Sequence, residues 1–93
     1  MIMEFEWDEN KRQSNLSKHG IDFVRAASIF NSPILEKEDN RYDYGESRFI
    51  ALGETNGIVL FVVYTMRGSV YRIISVRRAT LREQRQYYQS IYG

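Results

Sequence analysis

The chain has 93 residues, with 13 lysines and arginines against 12 acidic residues for a net charge of +1, one histidine and no cysteine. That length supports one hydrophobic core and not two, and the lack of cysteine excludes disulfides and thiolate metal sites and points to a reducing cytoplasm. No apolar run reaches the roughly 18 residues of a membrane span, and the acidic start from Met1 to Glu9 is unlike a signal peptide, so a single cytoplasmic domain over residues 1–93 with no membrane role is expected.

A total charge near zero says little about a nucleic-acid partner, but its distribution says more. Between Arg67 and Arg85 there are six arginines, at 67, 72, 77, 78, 82 and 85, against the single acid Glu83. Five acids, at 36, 38, 39, 43 and 46, face only Lys37 and Arg41 in the stretch from Glu36 to Glu46. Positive charge is gathered in the C-terminal third.

In chain order, Glu4 to Trp7 alternates and predicts a short edge strand. Asp8 is the N-cap of a first helix that runs to Lys18 or His19, with Gly20 placed to end it in the left-handed conformation. Leu16 is its only apolar residue, so this helix should lie on the surface, anchored near Trp7 and Leu16. A second, antiparallel helix follows from Asp22 with Phe23, Ala26, Ala27 and Phe30 at helical spacing, and Asn31-Ser32-Pro33 ends it.

Ile34 to Lys37 reads as a strand, residues 38–46 as a polar connection, and Ser47 to Glu54 as the next strand. Asn56-Gly57 is a two-residue hairpin turn. The strand from Ile58 to Met66 turns at Arg67-Gly68-Ser69 into Val70 to Arg77, which completes a four-stranded antiparallel meander. Thr80-Leu81-Arg82-Glu83 is a capping box, opening a final helix whose stripe of Leu81, Tyr87, Tyr88, Ile91 and Tyr92 must pack on the sheet or on a partner. The fold class is α+β, an antiparallel sheet of four or five strands with two N-terminal helices and one C-terminal helix.

Two-residue turns fix register. The Asn56-Gly57 turn places Arg48 opposite Thr65, Ile50 opposite Val63 and Leu52 opposite Phe61. A second turn at Gly68-Ser69 places Thr65 opposite Arg72, Val63 opposite Ile74 and Phe61 opposite Val76, and one at Arg67-Gly68 moves these partners by two residues but keeps the same faces. One face is then apolar with Arg48, Thr65, Arg67 and Arg72 at one end. The other collects Phe49, Ala51, Val62, Tyr64, Tyr71, Ile73, Ser75 and Arg77, and is either a solvated surface or a shallow groove.

His19, in Lys18-His19-Gly20, is the side chain suited to proton transfer near neutral pH, although Lys and His are also common beside a glycine cap. The arginines at 48, 67 and 72 either clamp a phosphate or pair with acids such as Asp43 and Glu46. Tyr64 and Tyr71 either stack on bases or cover the sheet. One histidine and no cysteine make no zinc constellation, and no glycine-rich phosphate loop or nucleophile elbow is present, so neither metal nor cofactor is expected.

The segments FEWDENKRQSNLSKHGIDF, GESRF, VVYTMRG and RIISVRRAT, which occur in this order along nearly the whole chain, resemble the BrnT family of toxins from bacterial type II toxin–antitoxin modules. The family usually reads RIISAR where this chain has Val76. The resemblance implies a RelE-like fold, ribonuclease activity that stops translation and growth, and a BrnA-like antitoxin that binds and blocks the toxin in a hetero-oligomer. Metal-independent RNA cleavage by 2′-OH attack is then expected, with Lys18, His19, Arg48 and Arg72 catalytic and Tyr64, Arg67, Arg77 and Arg78 binding RNA. This requires the end of the first helix to lie over the arginine end of the sheet. The alternative is a non-catalytic module that binds nucleic acid or protein.

Overall fold

The computed structural model describes residues 3–93; Met1 and Ile2, which the single-domain reading includes, lie outside the described residues. Its elements are β1 (Glu4–Trp7), α1 (Glu9–His19), α2 (Phe23–Ser28) running on into a 3-10 turn (Ile29–Asn31), β2 (Ile34–Glu38), β3 (Phe49–Thr55), β4 (Ile58–Arg67), β5 (Val70–Arg78) and α3 (Leu81–Tyr92). The strand order is β1-β5-β4-β3-β2. The expected meander from β2 to β5 is antiparallel throughout, and β1 adds to its β5 edge in parallel, with Phe5 beside Tyr71 and Trp7 beside Ile73.

The caps follow from the residues that make them. Asp8 accepts from the Lys11 N–H, Asp22 from the Val24 N–H, and Gly20 ends α1 at φ 71°. Asn56 and Gly57 both have positive φ, 50° and 78°, as a type I′ hairpin turn demands. Thr80 and Glu83 exchange both bonds of the capping box.

The sheet has two buried faces. On one, α2 and its 3-10 turn lay Phe23, Ala26, Ile29 and Phe30 over Ala51, Leu60, Val62, Tyr64, Ile73 and Val76. On the other, α3 brings Tyr87 against Ile50, Leu52, Val59, Phe61 and Val63. The face expected to be solvated or a groove is therefore the core beneath α2. Ile29 comes so close to β3 that a Cβ on Gly53 would lie 2.7 Å from its Cβ, which leaves room only for glycine.

The register from the Asn56-Gly57 turn is as expected, with Ile50 opposite Val63 and Leu52 opposite Phe61. Across β4 and β5, Thr65 faces Arg72 and Tyr64 faces Ile73, but Val63 then faces Ser75, Val62 faces Val76 and Phe61 faces Arg77. A bulge accounts for this difference. One extra residue in β5 sends every later side chain to the opposite face, so Val76 enters the core beneath α2 and Arg77 moves to the α3 face.

Two expected anchors also differ. Leu16 is largely exposed, and α1 is held instead by buried Asn15, whose amide bonds to Val76 of β5. In α3 only Tyr87 is fully buried, its hydroxyl donating to the Pro33 carbonyl at 2.8 Å, whereas Leu81, Tyr88 and Tyr92 stay exposed. Ile91 packs on the same core as Tyr87 and the Tyr88 hydroxyl donates to Glu54 of β3, while Leu81 and Tyr92 project outward, so the helix docks on the sheet along one narrow line.

Candidate active site

Where β4 meets β5 near Gly68, the arginines at 48, 67 and 72 gather as the register requires, but two of them are neutralised. Arg72 donates to Glu6 of β1 at 2.6 Å, an acid brought beside it by the parallel pairing of β1. Arg48 stacks on the Tyr44 ring at 4.1 Å and reaches Glu46 at 3.4 Å. Thr65 between them donates to the Ser47 carbonyl at 2.6 Å. Arg67 is exposed and has no carboxylate partner among the described residues.

Arg77 does not share a face with Tyr64. It lies over the Phe61 ring at 3.8 Å and grips both oxygens of Glu83 at 2.8 and 3.0 Å. The Arg77 guanidinium holds the Glu83 carboxyl down at about 2. This pair ties the end of β5 to the first turn of α3, beside an apolar cleft of 330 Å³ floored by Leu35, Ile50, Leu52 and Phe61.

Tyr64 has no ring face open to a base. It is 2% exposed, is packed among Phe30, Phe49 and Tyr71, and hydrogen-bonds Glu36. The RNA contact expected of it is closed off by the helix that covers it.

Lys18 and His19 lie elsewhere. The last turn of α1 runs past the end of β1 and along β5, so that Lys18, His19 and Ser14 line an open cleft of 380 Å³ with Ile74 and Ser75. His19 also lines a 240 Å³ cleft with Arg25 of α2 and Arg78 at the end of β5. Neither cleft includes Arg48, Arg67 or Arg72. The end of α1 does not lie over the arginine end of the sheet; it lies toward the opposite end of β5, because α1 continues in the direction of β1 after Trp7 pairs with Ile73.

The structure therefore brings Lys18 and His19 together with Arg78, and adds Arg25, which sequence reasoning did not single out. None of these four pairs with a carboxylate among the described residues. Arg25 sits in α2 between residues of the buried stripe, and nothing in the local pattern signals that its helix passes the end of β5. No group of three or more His, Cys, Asp or Glu is placed to hold a metal among the described residues.

A family model described as the ribonuclease toxin BrnT of type II toxin–antitoxin systems matches residues 7–83. The chain belongs to the BrnT family. It is also similar to the Brucella abortus ribonuclease toxin BrnT, whose crystal structure matches with a TM-score of 0.64 and 36% sequence identity, covering 85% of this chain and 99% of that one. Comparison with curated proteins found no match. The BrnT match extends from Trp7 through Glu83, and so takes in Lys18, His19, the bulged strand and the capping box. No helix among the described residues is long and apolar enough to cross a membrane.

Proposed function

We propose that this BrnT-family chain is an endoribonuclease that cleaves RNA without a metal by attack of a 2′-OH on the adjacent phosphodiester, and thereby inhibits translation and growth until a BrnA-like antitoxin binds it in a hetero-oligomer. The observation that carries this reading is the convergence of Lys18, His19 and Arg78 around two adjoining clefts at one end of β5, with no carboxylate bonded to any of them.

The reaction needs a group to move a proton and fixed cations for the charge that develops on phosphorus. His19, exposed at the end of α1, exchanges a proton with the attacking hydroxyl or the departing 5′-oxygen. Lys18, which shares the first cleft with His19, stabilises the extra negative charge, and Arg78 in the second cleft binds the RNA. Arg72, about 20 Å from Arg78 along β5 at about 3.3 Å per residue, lies with Arg48 and Arg67 toward the other end of the sheet. Arg67, which has no carboxylate partner among the described residues, holds the RNA backbone as it leaves the reacting centre, and Arg48 and Arg72 join it only by giving up Glu46 and Glu6. Arg77 acts by fixing α3 against β5.

The test is cleavage of single-stranded RNA and of ribosome-bound mRNA by the purified wild type in the presence of EDTA, with growth followed during expression without antitoxin. Cleavage that survives EDTA and disappears in His19→Ala is expected. Folded wild type that cleaves neither RNA overturns the reading, and Arg variants that then lose only RNA binding would mark a non-catalytic module.

A further inference from the structure

We infer that Arg25 and Arg78 form a phosphate-binding subsite beside His19, which grips a phosphate of the RNA strand next to the one being cleaved. The identity of the strand rests on the ribonuclease reading; the anion chemistry of the subsite does not.

Three observations point to an anion. First, the 240 Å³ cleft brings together Arg25, Arg78 and His19, with no acid in its lining. Elsewhere Arg12, Arg41, Arg48, Arg72 and Arg77 each have a carboxylate within 3.4 Å. Two guanidiniums are always charged, so two of them on one small cleft repel each other unless an anion lies between them. Second, Nε of Arg25 is the one buried side-chain nitrogen or oxygen among the described residues that lacks a hydrogen-bond partner. A buried donor left unmet costs about 1–3 kcal/mol, more when charged, so the Arg25 guanidinium gains by turning this donor toward an anion in the cleft that its side chain lines. Third, the remaining walls include Ile21, Ile58 and Leu60, of which Ile21 and Leu60 are buried. Apolar walls hold off water and strengthen a guanidinium–phosphate bond.

The geometry also separates the roles. Arg25 comes from α2 and Arg78 from β5, while His19 ends α1, so three independent elements meet around one cleft with room for a phosphate. A phosphate held by the two arginines lies beside the imidazole, which also opens onto the Lys18 and Ser75 cleft. The arginines therefore act on binding and positioning, and the proton transfer remains with His19.

The experiment is a titration of the intact protein with inorganic phosphate, followed through the Arg25 Nε–Hε cross-peak and the His19 ring signals by NMR, with sodium chloride at matched ionic strength as the control. A saturable shift with phosphate and not with chloride is expected, weakened at least about tenfold in each of Arg25→Gln and Arg78→Gln. Binding of a short single-stranded RNA should fall in parallel, with a salt slope shallower by about one for each arginine removed. Arg78 is exposed, so its variant tests the subsite even if Arg25→Gln disturbs packing. Absence of a phosphate-specific shift, or affinities unchanged in Arg78→Gln, overturns the subsite. Phosphate binding by a protein that cleaves no RNA would keep the subsite and refute the ribonuclease reading; cleavage without phosphate binding would do the reverse.

Discussion

Asn15 pairs with Val76 as a neighbouring strand would: its Oδ1 accepts from the Val76 N–H at 3.1 Å and its Nδ2 donates to the Val76 carbonyl at 2.9 Å. Nδ2 also reaches the Ile21 carbonyl at 3.3 Å. β1 stops pairing at Trp7, which leaves the edge of β5 open just where α1 passes. A side-chain amide carries one acceptor and two donors, and so completes the edge that β1 abandons.

Asn15→Ala leaves the Val76 N–H and carbonyl buried without partners and should cost about 2–6 kcal/mol, from two groups at about 1–3 each. Urea unfolding measures the loss. Because the same bond sets the position of the last turn of α1, His19 signals should also shift in the folded variant, and unmoved His19 signals would separate Asn15 from the site.

Gly53→Ala should destabilise by about 1–3 kcal/mol, since a methyl group there would press on Ile29 and force strain in a packed core. Thermal unfolding reads this directly. The double variant Gly53→Ala, Ile29→Ala should recover none of the loss, because alanine at 29 keeps the Cβ that lies 2.7 Å away and Ile29 is itself fully buried.

Two carboxylates tie stability to acid. Glu83 is held down to about 2 by Arg77, and Asp39 to about 2 by Arg41, against ordinary values of 4.5 and 3.8. A depressed folded-state pKa gives stability that is complete above the ordinary value and is lost as pH falls toward the folded one. The urea midpoint should therefore fall between about pH 4.5 and 2, and Glu83→Gln should flatten that fall.

His19→Ala should lower cleavage by about 10²–10⁴, the range for removing a general acid or base. Arg72→Ala should instead raise KM with little change in kcat, since Arg72 lies toward the other end of β5. Its bond to Glu6 is partly exposed, so stability should change by no more than about 1 kcal/mol. Equal losses of kcat in both variants would place Arg72 at the reacting centre after all.

Most of the architecture is legible in the sequence because it rests on local chemistry. Asp8, Gly20, Asn56-Gly57 and the Thr80–Glu83 box each satisfy or turn the backbone within a few residues of themselves, and the α+β order follows from them. BrnT membership was legible for a different reason, since its segments run in order along the chain.

Beyond the gathering of Arg48, Arg67 and Arg72, the partners of the charged residues were not legible, because they depend on what long-range packing brings together. One extra residue in β5 sends Arg77 to Glu83 and away from Tyr64, and no periodicity announces a bulge. Glu6 meets Arg72 only because β1 joins the far edge in parallel. Lys18 and His19 could be picked out as chemistry-bearing residues from their own types, but only the path of α1 along β5 and of α2 past its end puts Arg25 and Arg78 beside them. Local hydrogen bonding is written in short stretches of sequence; the meeting of distant cations is decided by the tertiary fold.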